Sequence, residues 1–422
     1  MYNYKLEIEN IINHFKSSYL INNHWRIEFD INGKCINKNC AIPDYGDISP
    51  YLLHFGEAKF VKQMYSNALK KCRNSIYHGH GGGKLFFNHD WLLGLIDSYN
   101  STNDSFFLDN AKIAADYIID NYFHKDFLLD EPISKKSLSS FLGKSNPFSG
   151  GYIELFLELY KICKDPKYVN ISEKVANSWT STKGYKTTGL FPIMNSIRYP
   201  FISLLYSHLS KTNVILFKSN TNFLYSILDL YLLTKKNTYK EVLENWFDGF
   251  KFYLFDNGKV YRYLGLNSKA SNNSLKSAFS ALDLLCDFYE TGIKRKDIKK
   301  TAVKIADYWI KLQWNNGLWP IEENKDENHL DANVDFAIAL TKLYSITNNI
   351  LYWNKFLEAR SSILNFHYSK YGYVNSVNKD GVQINNNIKT KYQSLLIKLL
   401  IIPKEPINIY ADPNLIELIK DR

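Results

Sequence analysis

The chain has 422 residues, 45% of them hydrophobic and 22% charged, a balance that supplies a buried core and excludes a disordered or fibrous polypeptide. Its formal charge of +10 comes from scattered lysines rather than a long basic block, which argues against dedicated nucleic-acid binding. No run of about 18 apolar residues exists, which excludes a helical membrane span.

The length exceeds the roughly 100–200 residues of an ordinary domain, yet no Pro/Gly/Ser-rich linker divides it. Residues 1–422 are therefore read as one large domain. At its start Lys5, Glu7, Glu9 and Lys16 alternate with apolar residues at helical spacing, which predicts a helix over residues 4–18 rather than a secretory leader. Cys35, Cys40, Cys72, Cys163 and Cys286 are odd in number and lack paired close spacing. Reduced thiols and a cytoplasmic setting are the expectation.

A repeat then governs the chain. A weak first copy runs from Ile48 to Leu69. The clearest copy starts at Asn88, where Trp91, Leu92, Leu95, Ile96 and Tyr99 follow a 3.6-residue period, and Leu108, Ala111, Ala115, Ile118 and Tyr122 resume it after a polar turn. Further copies start at Gly150, Thr221, Leu275 and Leu330. Taking the aromatic at the end of each first helix gives Phe55, Tyr99, Tyr160, Tyr231, Tyr289 and Tyr344. These mark six hairpins at intervals of roughly 45–70 residues, too uneven for an open solenoid. The surplus length falls in links at 78–86, 128–150, 183–201, 256–274, 315–330 and 370–389, where short β-like segments are expected. The fold class is all-α, a toroid of six helical hairpins, (α/α)6, with the helix near 4–18 and another near 389–400 able to close it. First helices line its inside, and all six links gather at one end.

The segment Gln313-Trp314-Asn315-Asn316-Gly317-Leu318-Trp319 has the QxxxGxW pattern of toroid turns. With the hairpin layout, it makes the chain resemble the six-hairpin (α/α) toroid superfamily of glycosidases, polysaccharide lyases and sugar epimerases, with terpene cyclases as cousins. The acidic DxDD motif of the protonating cyclases is absent. A looser similarity to class I α-mannosidases lies in Gly151-Tyr152-Ile153-Glu154-Leu155, Lys164-Asp165-Pro166-Lys167-Tyr168 and Thr188-Gly189-Leu190-Phe191-Pro192. It is too short to carry over a substrate or calcium. No single family is assigned.

Glycosidic cleavage uses two carboxyl groups, one protonating the leaving oxygen and one activating water or attacking the sugar. Acids at first-helix starts or in the links are the candidates: Asp90 and Asp331 foremost, as acid and base in either order, then Glu154 and Asp47, with Asp44, Glu322 and Glu323 nearby. Helix capping is the plain alternative for Asp47, Asp90 and Asp331 taken singly. Asp335 joins Asp331 as a substrate contact. Aromatic faces stack on sugar rings, which singles out Tyr45, Trp91, Tyr152, Tyr261, Trp319 and Tyr373 in or beside the links. Arg198 and Arg262, each beside a tyrosine, suit an acidic sugar, with surface ion pairing as the alternative.

His78, His80 and His89 surround Gly81-Gly82-Gly83, which reads as a substrate-facing loop able to move protons. No Cys or carboxylate has metal-site spacing with them, and the glycines form no phosphate-binding signature. No metal and no cofactor are expected. The leading function is a glycosidase acting on an oligosaccharide or polysaccharide, acidic sugars included. A lyase or epimerase of uronic or amino sugars and a non-catalytic glycan- or protein-binding toroid remain alternatives.

Overall fold

The computed structural model describes residues 4–79, 84–198, 215–265, 269–293 and 295–420. Its principal helices are α1 (Tyr4–Lys16), α2 (Tyr45–His54), α3 (Ala58–Leu69), α4 (His89–Thr102), α5 (Ser105–Tyr122), α6 (Ile153–Cys163) and α7 (Pro166–Thr180). They continue with α8 (Phe217–Thr234), α9 (Asn237–Tyr253), α10 (Leu275–Glu290), α11 (Lys296–Lys311), α12 (Leu330–Thr347), α13 (Ile350–Phe366) and α14 (Thr390–Leu400). From α2 to α13 they form six consecutive pairs among the described residues.

The two members of a pair differ in how they meet the core. In α11 the buried residues are Ile298, Thr301, Ala302, Ile305, Ala306 and Trp309, a single apolar stripe at steps of three and one. In its partner α10 twelve of sixteen residues are buried, Leu275 through Phe288 with few gaps, as in a helix covered on every side. First helices are therefore interior and second helices are surface-facing.

Four of the six turns within the pairs share one device. Asn103, Lys164, Lys235 and Asn348 adopt the left-handed conformation, with φ of 54°, 58°, 56° and 57°. Each N–H donates to the carbonyl of a tyrosine four residues back, Tyr99, Tyr160, Tyr231 or Tyr344, at 2.7 to 2.9 Å. A lysine in this conformation costs roughly 1–2 kcal/mol. The Lys164 and Lys235 ammonium groups return part of that by lying 5.8 and 6.0 Å from the Tyr160 and Tyr231 ring centres. Three of the second helices then start on side-chain caps: Asp104, Asp165 and Asn349 accept the N–H of Phe106, Lys167 and Leu351.

The chain groups into two compact units. One comprises residues 72–256 and 260–272. It holds the pairs α4/α5, α6/α7 and α8/α9, with α4 against α6 and α6 against α8. The other comprises residues 1–71, 257–259 and 273–422. It holds α2/α3, α10/α11 and α12/α13, and in it α10 packs on α12, α12 on α14 and α14 on α2. The chain-end helices α1 and α14 pack against each other. Beside them lies an antiparallel sheet in which β2 (His24–Phe29) pairs with β1 (Leu20–Ile21), β3 (Cys35–Cys40) and β4 (Ile388–Lys389). Trp25 is wholly buried there and donates to the Phe15 carbonyl.

Four links are fastened to the starts of α4, α8, α12 and α14 by buried side-chain amides. Asn88 Oδ1 accepts the Tyr77 N–H at 2.7 Å while its Nδ2 donates to the Tyr77 carbonyl at 3.1 Å. Asn220 holds Phe191 in the same way at 2.7 and 2.8 Å, and Asn333 holds Trp319 at 2.8 and 3.0 Å. Gln393 holds Tyr373 at 2.8 and 2.9 Å. In every case the amide NH2 also reaches the carbonyl four residues back, on Lys84, Leu216, His329 or Lys389. All four amides are fully buried. Removing one strands a buried N–H and a buried C=O. Asn220→Ala is expected to lower unfolding free energy by about 2–4 kcal/mol in urea titration, whereas the exposed Asn177→Ala should stay within about 0.5 kcal/mol of the parent.

Candidate active site

The first turn of α4 carries His89 and Asp90, delivered by the Asn88 clamp. His89 Nδ1 lies 3.1 Å from Asp90 Oδ1. His89 Nε2 lies 3.3 Å from the Gly151 carbonyl and 3.9 Å from Glu154 Oε2. Both ring nitrogens thus face acceptors, and only the doubly protonated imidazole satisfies both. Burial opposes that charge, but the Asp90 hydrogen bond and the charges of Asp90 and Glu154 outweigh it and hold His89 above its ordinary value.

The opposing wall is the turn that enters α6. Asn146 caps a short helix, Pro147–Gly150, by accepting the Ser149 N–H. Gly150 has no room for a side chain, since an added Cβ would lie 2.7 Å from the Phe223 ring. A Cβ on Gly151 would lie 3.7 Å from His89 Nε2. The Gly151 carbonyl also accepts from Ser226 at 2.9 Å, so α8 steadies it from behind. Tyr152 sets its ring edge-on to His89, 5.3 Å between centres, and its hydroxyl donates to the Leu85 carbonyl. Burial raises that hydroxyl well above the usual tyrosine range. Tyr152 is a neutral donor.

Behind both walls lies Asp130, 2% exposed. Burial pushes its carboxyl up to about 6, against the opposing pull of Lys144 and Ser149. Asp130 and the neighbouring Glu131 lie in the 128–150 link, where the criterion that selects Asp44 and Asp47 applies equally. That acidic pair is a usable sequence signal.

The other unit carries a second charged cluster. Asp331, in the first turn of α12, bonds Lys276 of α10 at 2.7 Å. Burial alone would raise its carboxyl, but Lys276, the Tyr392 hydroxyl and His329 hold it below the ordinary aspartate value. Asp47 in α2 pairs with Lys391 at 2.8 Å, and Asp335 lies 3.8 Å from Lys398. The capping positions before α2, α4 and α12 belong to Asp44, Asn88 and His329, so Asp47, Asp90 and Asp331 are not the caps of their helices. Lys276, Tyr392 and Lys398 carry no sequence motif, and only the helix packing brings them to these acids.

Asp90 and Asp331 belong to different units, while Asp90, His89, Glu154 and Tyr152 come together in one. Trp91 and Trp319 are fully buried. Trp91 donates to the Ser75 carbonyl, and Trp319 packs edge-on against Phe336 and is held by Asn333. Both are core residues, because a ring enclosed on all sides has no face left for a sugar. Tyr45 and Tyr373 are buried too. Tyr261 is half-buried, Arg198 is exposed, and Arg262 is exposed with its guanidinium 5.1 Å over the Tyr263 ring. His80 lies outside the described residues. Among the described residues no group of three or more His, Cys, Asp or Glu is placed to hold a metal ion, and no helix is long and apolar enough to cross a membrane.

No protein-family model and no curated protein matches the sequence. Solved structures do match. An α-1,2-mannosidase from Trichoderma reesei aligns with a TM-score of 0.69 and 11% identity over 94% of this chain and 92% of that one. A cellobiose 2-epimerase from Bacillus thermoamylovorans aligns at 0.61 and 11%, over 94% and 100%. An unsaturated glucuronyl hydrolase from Bacillus sp. aligns at 0.52 and 10%, over 94% and 95%. The chain shares with these enzymes the (α/α)6 toroid fold.

Because the folded His89 value lies above its ordinary 6.5, its contribution to stability is complete below the unfolded value and is lost as pH rises through the folded one. Thermal unfolding measured from pH 6 to pH 9 should show this loss, and His89→Gln should flatten the curve over that window.

Proposed function

We propose that the protein is a carbohydrate-active enzyme, a glycosidase that hydrolyses an oligosaccharide or polysaccharide with Asp90 and Glu154 as its paired carboxyl groups. The observation that carries this reading is their shared partner. Asp90 Oδ1 lies 3.1 Å from one ring nitrogen of His89 and Glu154 Oε2 3.9 Å from the other, which supports reading them as a carboxyl pair of the kind that cleaves glycosidic bonds. Asp90 is the more open of the two, its side chain 28% exposed against 6% for Glu154. Asp90 therefore meets the substrate, and Glu154 acts through the enclosed side of the site.

His89 supports proton transfer in either direction, since it holds a proton between two carboxylates and can return it to whichever has delivered its own. Asp331, held below the ordinary aspartate value by Lys276, suits contact with the hydroxyl groups of a sugar and not proton donation. Asp47 and Asp335, each beside a lysine, suit the same hydroxyl-orienting role. For an acidic sugar the available cations would be Arg198 and Arg262.

The doubly bonded imidazole also favours a second reading, an epimerase or lyase in which His89 itself moves a proton at carbon. The similarity to a mannosidase, an epimerase and a glucuronyl hydrolase supports sugar as the substrate class for both. The two are separated by product. A panel of neutral and acidic oligosaccharides is incubated with the wild type, Asp90→Asn, Glu154→Gln and His89→Gln, and assayed for reducing ends, unsaturated products and epimerised sugars. Reducing ends are expected, with losses of about 10²–10⁴-fold in the two carboxylate variants. Epimerised or unsaturated product that survives Asp90→Asn and Glu154→Gln but not His89→Gln would replace the hydrolase with the second reading.

A further inference from the structure

We infer that Asp130 is a positioning residue of this site, one whose side chain and backbone together tie the His89 wall to the Gly151 wall. The inference rests on the site proposed above. Its observations are the bonds that Asp130 makes in two directions.

Toward the Gly151 wall, Asp130 Oδ1 accepts from Asn146 Nδ2 at 2.5 Å and from Ser149 Oγ at 3.1 Å. These residues form the capped turn Pro147–Gly150, which ends at the carbonyl that His89 meets. Toward the His89 wall, the Asp130 carbonyl accepts the Leu85 N–H at 2.9 Å. Leu85 opens the short helical turn that leads through Asn88 into His89, and its own carbonyl accepts the Tyr152 hydroxyl. One residue thereby holds both approaches to the imidazole, and Tyr152 closes the loop between them. Asp130 is itself held through its N–H, which donates to the Lys144 carbonyl at 2.8 Å, and through the Lys144 ammonium at 3.5 Å from Oδ2.

A carboxylate buried this deeply is an expensive anchor for a turn, because its charge must be desolvated. A neutral Ser or Asn would cap the same turn at lower cost. What the carboxylate adds is two acceptor oxygens with distinct tasks, one for the Asn146–Ser149 turn and one for Lys144.

The test reads His89 directly and needs no substrate. The charged groups facing the His89 ring are Asp90 and Glu154, and those facing Asp130 are Lys144 and, at longer range, Lys84. The His89 Cε1–H resonance is assigned by its loss in His89→Gln and titrated in the wild type, Asp130→Ala, Asp130→Asn and Ser149→Ala. In Asp130→Ala the midpoint should fall by about one unit, as the Gly151 carbonyl moves away and burial dominates. Asp130→Asn, whose Oδ1 still accepts from Asn146 and Ser149, should stay within about 0.3 unit of the wild type, and Ser149→Ala should fall by less than Asp130→Ala.

An unchanged midpoint in folded Asp130→Ala would overturn the inference. So would an equal fall in Asp130→Asn, which would trace the effect to charge acting through space. If Asp130→Ala does not fold, Ser149→Ala decides: a fall supports the inference and an unchanged midpoint rejects it. A silent sugar panel with these midpoints as expected would reject the hydrolase and keep the positioning role, whereas an active wild type with unmoved midpoints would reject only the positioning role.

Discussion

The fold depends on a rule about buried amides: a backbone N–H and C=O taken out of water must both find partners. At the clamped residues the links have only two-residue strands, at Tyr77 and Tyr373, or none, at Phe191 and Trp319, and backbone groups there need partners from elsewhere. Asn88, Asn220, Asn333 and Gln393 supply the missing partners from the starts of α4, α8, α12 and α14, each presenting one acceptor and two donors in a plane. The aromatic ring on each clamped residue, Tyr77, Phe191, Trp319 or Tyr373, is buried as a consequence. The clamp thus fixes the link's polar backbone and its apolar side chain in one stroke, and it sets the register of the first turn of the helix. Two residues beyond Asn88 comes Asp90, and two beyond Asn333 comes Asp335. At the corresponding place after Asn220 stands Asn222, which keeps the polarity without the charge.

The hairpins are legible in the sequence because burial imposes periodicity. A second helix with one covered face must repeat its apolar residues at three and four, as Ile298 to Trp309 do, and a turn that closes on a tyrosine four residues back leaves that tyrosine as a marker. Tyr99, Tyr160, Tyr231 and Tyr344 form a visible repeat on this basis, and the structure supplies the bond that makes them one. The clamps leave no such trace. Their partners lie at separations that differ from link to link, from Tyr77 to Asn88 and from Phe191 to Asn220, and asparagine also serves turns and caps throughout this chain.

Candidate residues divide in the same way. Asp90 and Glu154 stand out in the sequence because helix starts are places where acids collect. Their meeting at His89 depends on the packing of α4 against α6, which no local pattern encodes. Asp130 meets the same criterion of an acid in a long link, but a carboxylate in Leu128-Leu129-Asp130-Glu131-Pro132 reads as a solvated turn until its burial is known. Aromatic residues in links mislead for a related reason. An indole N–H that is buried needs an acceptor, and Ser75 gives Trp91 one, which makes it a structural anchor where position alone suggests a stacking platform.

The chemistry of the two charged clusters derives from the identity of the counter-ion. Lys276, Lys391 and Lys398 stand beside Asp331, Asp47 and Asp335. Lys276 holds the Asp331 carboxyl below the ordinary aspartate value, and a carboxyl held ionised in this way can orient hydroxyl groups but has no proton to give. An imidazole between two carboxylates is different, because its proton is lost and regained within a few pH units of neutrality and either neighbour can receive it. On the proposed reading, proton transfer belongs with His89, Asp90 and Glu154. The scattered lysines that give this chain its net positive charge include the three that stand beside these acids.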